Sequence, residues 1–185
     1  MPFPARELPA RRRPVTLGRR MRLSVEMTIH APASRIWAIL AHRFDRIGEW
    51  ASAIPASRAA AGAVRETGAP VAGRVCETGV RMYSRVEETI IDYDELGRAL
   101  TYVGRGLPGF IAEARNRVSV VALDHGRSRV TMQASVRPRG LVGRMLAVPL
   151  RLQFEREGRR TLADLKHYVE NGRPSRRKER RLAGH

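Results

Sequence analysis

The chain has 185 residues, 43% of them apolar, and a formal charge of +17. That length and apolar content fit one domain with its own core and basic tails. No uninterrupted apolar run reaches the ~18 residues of a membrane-spanning helix, and a lone cysteine, Cys76, excludes an intrachain disulfide and is compatible with a reducing cytoplasm.

Residues 1–22 hold seven arginines against Glu7, a net +6. Basic, proline-containing sequence without apolar periodicity is expected to be disordered, so 1–21 is assigned to a tail. It has no apolar h-region, and Arg19 and Arg20 lead into no hydrophobic stretch, so a secretion signal is not expected and a cytoplasmic location is. Met21 directly precedes the first ordered pattern, which suggests that translation starts there.

Leu23, Val25, Met27 and Ile29 then alternate with Ser24, Glu26, Thr28 and His30, the period of a half-buried strand. Pro32 suits the first turn of a helix, where its missing N–H costs nothing. Ile36, Trp37, Leu40 and Ala41 form one apolar stripe on that helix, over 32–41. Phe44, Ile47, Trp50 and Ile54 continue the spacing into a second short helix that Pro55 stops. Strands are expected at 56–63 and 72–79 around a turn-rich stretch at 66–70, then at 81–93 and 98–104 around a turn at 94–97. Gly104, Gly106, Pro108 and Gly109 mark a loop. Residues 112–123 and 128–137 make a hairpin around 124–127. A long amphipathic helix follows over about 141–170, with Leu141, Met145, Phe154, Leu162, Leu165 and Val169 among its apolar positions. Pro149 kinks it or marks the start of its straight part. Gly158 lies inside it at a cost of roughly 1 kcal/mol against alanine, and Asn171 with Gly172 signals its end. Residues 173–185 carry six basic side chains against Glu179, a net +5, and are expected to be a second disordered tail. The two ends thus hold +11 of the +17. They are able to make weak, charge-driven contact with nucleic acid or anionic membrane. Nearly all of this charge is arginine, a bias that often follows genome composition.

The order of strand, two short helices, six strands and long helix resembles the START/Bet v 1-like (SRPBCC) superfamily. So do the stretch from Ala31 to Trp37, the segment from Asp45 to Trp50, and the closing pattern of Leu162, Leu165, Lys166, Tyr168, Val169 and Glu170. The similarity spans about residues 22–172 and is greatest to the polyketide cyclase/dehydrase and lipid-transport branch. It implies an α+β helix-grip fold: a seven-stranded antiparallel sheet wrapped around the C-terminal helix, with two short helices after the first strand and an apolar cavity between helix and sheet. Members of that branch bind lipids, sterols, quinones, hormones or polyketides, and some are cyclases or dehydratases.

Convergent catalytic groups are hard to find in the sequence. The five histidines have no metal-ligand spacing, no serine sits in a Gly-x-Ser-x-Gly elbow, and Cys76 has no basic neighbour and is expected to be an inert buried thiol. Glu87 and Glu88 are adjacent, so a strand points them to opposite faces. A binding hollow asks instead for apolar walls with a few polar groups. Trp50, Tyr83, Tyr102, Val118, Met132, Phe154, Thr161 and Leu165 are candidates for its lining, and Asn116 for a buried polar contact. Gly158 either makes room for a ligand or packs closely on the sheet. Leu107 and Phe110 either gate the hollow or belong to an ordinary connection. Glu87 and Arg105 are candidates for orienting a polar ligand end. The expected function is binding or transport of a small hydrophobic ligand without a cofactor. The alternatives are a polyketide aromatase/cyclase or dehydratase, and a partner of nucleic acid or membrane through the tails.

Overall fold

The structure is a computed structural model and describes residues 20–61 and 67–183. The expected disorder of residues 1–19 lies outside it, as do residues 62–63 of the strand expected at 56–63, which ends at Ala59. β1 (Met21–Ile29), β2 (Ala56–Ala59), β3 (Gly73–Glu77), β4 (Arg85–Asp94), β5 (Ala99–Arg105), β6 (Ile111–Ala122) and β7 (Ser128–Pro138) form one antiparallel sheet in the order β1-β7-β6-β5-β4-β3-β2. The first two strands are therefore opposite edges. The chain crosses between them through α1 (Ala33–Trp37), a π-helical turn at Ala38–His42 and a 3-10 turn at Phe44–Glu49. The two helices expected there are thus shorter and less regular than the apolar spacing suggests.

Register fixes which side chains face inward. Leu23, Val25, Met27 and Ile29 of β1 pair with Ala134, Met132, Val130 and Ser128 of β7. The inward face continues through Asn116, Val118 and Val120 of β6, and Leu100 and Tyr102 of β5. An irregularity between Ile90 and Asp92 shifts the parity of β4, so that Ile90 pairs with Tyr102 and Tyr93 with Leu100. Such a bulge bends and twists the sheet. It also keeps Tyr93 inward, where its ring stacks on Trp37 at 5.7 Å. Glu95 locks this corner: Trp37 Nε1 donates to Glu95 Oε2 at 2.9 Å, the Tyr93 hydroxyl donates to the same oxygen, and His42 Nε2 lies 3.1 Å from Oε1. Hydrogen bonds from Tyr93 and then Trp37 hold the Glu95 carboxyl at about 2.

The last helical region is α2 (Gly140–Met145) and α3 (Ala147–Asn171), with hydrogen bonding carried across the break by Leu146 N to Val142 O and Leu150 N to Leu146 O, both 2.9 Å. Gly172 ends α3 at φ +70°, a left-handed cap with Gly172 N bonded to Tyr168 O at 2.9 Å. Leu162, Leu165 and Val169 bury the C-terminal half of α3 against Ile29, Ile90, Leu100, Val118, Val120 and Val130. Each such side chain contributes roughly 1.5–3 kcal/mol by leaving water.

The expectation of a disordered tail after residue 172 does not hold. Residues Arg176–Ala183 form a further helix, α4. Its dock is polar, which is why no apolar periodicity announces it. Asp164, only 3% exposed, accepts hydrogen bonds from Ser52 N and from Ser175 Oγ, each at 2.8 Å. Lys178 is fully buried, with Nζ donating to Ile54 O at 2.6 Å and Pro55 O at 3.0 Å. Burial and then the neighbouring Arg181 lower its pKa.

Candidate functional site

The apolar interior is divided. The main cluster fills the space under the C-terminal half of α3. A second, made of Ile111, Ala114 and Val136, closes the opposite end with Met21, Leu107, Phe110 and Phe154 packed on it. Between them, inward positions on neighbouring strands stay only half-buried: Met132 and Ala134 on β7, Asn116 on β6, Gly104 on β5 and Glu88 on β4. The inner face of a helix-covered sheet is normally dry. Five adjoining inward positions thus keep partial solvent access on a stretch of the inner face that neither cluster buries fully.

Charge enters the inward face from β3 and β4. Arg74 pairs with Glu88 across the strands, and Cys76 with Val86, all on the inward face. The Arg74 side chain is 6% exposed and that of Glu88 is 17% exposed, with Arg74 Nε bonded to Glu88 Oε2 at 2.5 Å. Arg74 also donates from Nη1 to Phe44 O at 2.9 Å, and its guanidinium carbon lies 3.9 Å from the Phe44 ring centre and 5.3 Å from that of Tyr102. Burial alone would lower the pKa of Arg74, but Glu88 above all outweighs it, so the net shift is upward and the arginine stays charged. Burial, and then the Glu88 charge, raises the Tyr102 pKa. The hydroxyl therefore stays protonated at neutral pH and is a hydrogen-bond donor. Burial pushes the Cys76 thiol up to about 12 against the opposing pull of Arg74, and its Sγ sits 3.7 Å from Glu88 Oε2. A thiol held protonated is a poor nucleophile. Trp50 is 3% exposed and its Nε1 has no hydrogen-bond partner among the described residues.

The residues singled out from sequence divide accordingly. Asn116 and Met132 are half-buried on the inward face, and Tyr102 on the same face is 6% exposed, a member of the main cluster with its ring edge-on to Phe44. Phe154, Leu107 and Phe110 form the wall made by the second cluster. Val118 and Leu165 are core, at 4% and 0% exposure. Trp50 belongs to the main cluster and Thr161 is half-buried on α3. Gly158 is a close approach: a Cβ there would lie 3.0 Å from Val25 Cγ2, so its lack of a side chain lets α3 contact β1. Tyr83 is in a 3-10 turn before β4, not on a central strand. Glu87 and Arg105 pair with each other on the outward face, because β4 presents Val86, Glu88 and Ile90 inward. The inward carboxylate is Glu88 and its partner is Arg74, neither of which was a sequence candidate. Their alternation with Val75 and Glu87 leaves both faces mixed, and only the pairing register separates them.

The comparisons agree with this architecture. A family model described as polyketide cyclase/dehydrase and lipid transport matches residues 20–170. Among solved structures, the Zhui aromatase/cyclase from Streptomyces sp. R1128 superposes with a TM-score of 0.66 at 14% identity, over 82% of this chain and 94% of that one. The protein XoxI from Bacillus cereus gives 0.64 at 15%, over 81% and 96%. Ara h 8.0201 gives 0.60 at 14%, over 82% and 98%. At such identities these likenesses establish the helix-grip fold and no more. No curated protein sequence matches the chain. With the family model covering nearly the whole of the domain, the chain belongs to the polyketide cyclase/dehydrase and lipid transport family of the SRPBCC superfamily.

Proposed function

We propose that this protein binds a small, mainly apolar molecule with one polar end in the hollow between α3 and the sheet, and carries or shelters it. The observation that carries this is the run of half-buried inward positions between two apolar clusters, with Arg74, Glu88 and Tyr102 beside it. Hiding about 300 Å² of apolar ligand surface at ~25 cal/mol per Å² is worth several kcal/mol before ordering costs. A protonated Tyr102 and the half-buried Asn116 supply a donor and an amide for a carbonyl or hydroxyl end. Lipids, quinones and polyketides all have that chemistry. A thermal-shift series with long-chain fatty acids, a ubiquinone analogue and an aromatic polyketide mimic tests it. At least one is expected to raise the melting temperature, and Tyr102→Phe to reduce that shift; no shift with any of them refutes the proposal.

A second reading is an aromatase/cyclase or dehydratase activity. It is favoured by Glu88 and Tyr102 lying on the same inward face, an acceptor and a donor in a partly dry site. Turnover of the polyketide mimic that falls at least a hundredfold in Glu88→Gln, with mimic binding retained, would support it.

A further inference from the structure

The N-terminal part of the α2–α3 region is apolar and faces solvent. Leu141, Met145, Val148 and Leu152 are 71%, 73%, 70% and 63% exposed. Their spacing of four, three and four places them on one stripe of a helix whose hydrogen bonding runs through the α2–α3 break. The stripe continues, again at four and three, into Arg156 and Arg159. There an open groove of about 400 Å³ runs past Leu152 and Ala163, with Arg156, Arg159, Arg160 and Arg177 against one carboxylate, Glu155. Among the described residues Arg156, Arg159 and Arg177 have no acidic partner, whereas Arg160 pairs with Glu157 and Arg151 with Glu155.

Four exposed apolar side chains in line are a surface that expects cover. The unpaired arginines beside them set the sign of that cover. From the stripe and its arginine groove we infer that this face docks on an anionic phospholipid bilayer. Leu141, Met145, Val148 and Leu152 enter the acyl boundary and Arg156, Arg159 and Arg177 meet lipid phosphates. A nucleic-acid backbone would satisfy the arginines but leave the apolar stripe in water, so it fits less well. The stripe also adjoins the wall of the hollow: Gly143 of α2 lies so close to Phe110 O that a Cβ there would approach it to 2.5 Å. The docked face would therefore lie next to the Leu107–Phe110–Phe154 cluster, at one end of the proposed ligand site.

The test is co-sedimentation of the full chain with phosphatidylcholine vesicles, with and without 30% phosphatidylglycerol. Binding is expected at least tenfold tighter with the anionic lipid, and to weaken at high salt. The triple variant M145S/V148S/L152S keeps the net charge and removes the apolar stripe. It is expected to bind at least tenfold more weakly while keeping the thermal shifts caused by cavity ligands. R156Q/R159Q is expected to lose the preference for anionic lipid. Unchanged vesicle binding by the triple variant overturns the inference. So does single-stranded DNA displacing the vesicles with equal effect in both proteins, which would assign the arginines to nucleic acid. A concentration-dependent dimer that the triple variant abolishes, without vesicle binding by wild type, overturns it in favour of a second copy of the chain.

Discussion

Replacing Glu88 with glutamine keeps the side chain's shape but removes the carboxylate paired with Arg74 at 2.5 Å. The guanidinium is then left buried with Phe44 O at 2.9 Å and two aromatic rings for company. Breaking a buried pair by neutralising one partner costs about 3–5 kcal/mol, because the stranded charge keeps its desolvation penalty. For a domain of this size each kcal/mol lowers the melting temperature by about 2–4 °C, so Glu88→Gln should melt roughly 6–20 °C lower. Removing both charges together, in R74M/E88L, should restore most of the loss, since a well-packed apolar pair is often as stable as a buried ion pair. Urea unfolding followed by circular dichroism on wild type, R74M, E88L and R74M/E88L completes the cycle, with Glu88→Gln measured beside them. A cost below about 1 kcal/mol for Glu88→Gln, the level of an exposed ion pair, would refute the assignment of Arg74 as a buried charge dependent on Glu88. If the double variant is stable but no longer responds to cavity ligands, the pair is kept for binding.

Other consequences are equally specific. Gly158→Ala gains roughly 1 kcal/mol of helix propensity but sets a methyl against Val25, where overpacking costs about 1–3 kcal/mol; a net loss on urea unfolding that Val25→Ala relieves is expected, and a stabilised single variant would contradict it. Asp164→Ala removes two charge-assisted hydrogen bonds worth roughly 1.5–3 kcal/mol each; amide exchange should accelerate first in Arg176–Ala183, and unchanged protection there would show that α4 does not depend on this anchor. Cys76, 2% exposed with its thiol pushed up to about 12, should resist alkylation by N-ethylmaleimide at pH 7.5 until the protein is unfolded, as intact mass will show. The Glu95 carboxyl is held at about 2 against an ordinary 4.5, so its stabilisation is complete above the ordinary value and is lost as pH falls from there through about 2. Glu95→Gln should therefore flatten the stability profile in that window, by less than about 1 kcal/mol because the group is half exposed.

The fold was legible wherever one face of an element is apolar. The alternation of β1 and β7, the breaker cluster before β6 and the Asn171-Gly172 stop all fall where the pattern places them. Pattern failed where packing is polar or register decides. α4 docks through Lys178, Ser175 and Arg181, residues that in sequence look like solvated charge. β3 carries Arg74 inward and Val75 to the opposite face, the reverse of what hydropathy favours for that pair, because Glu88 waits on the neighbouring strand. For the same reason Glu87 attracted attention that belonged to Glu88. Leu141 and Met145 count in sequence only as apolar positions of the long helix, because amphipathicity reveals an apolar face without saying what lies against it.

The most direct measurement is native mass spectrometry of freshly purified protein beside Ala134→Phe, a substitution at the half-buried inward position between the two clusters. Wild type should carry a small apolar molecule at one per chain, and the variant, with the hollow occupied by its own ring, should fold and carry none. A wild-type chain that takes up no such molecule even when offered fatty acid or quinone, or a variant that retains it undiminished, would contradict the account.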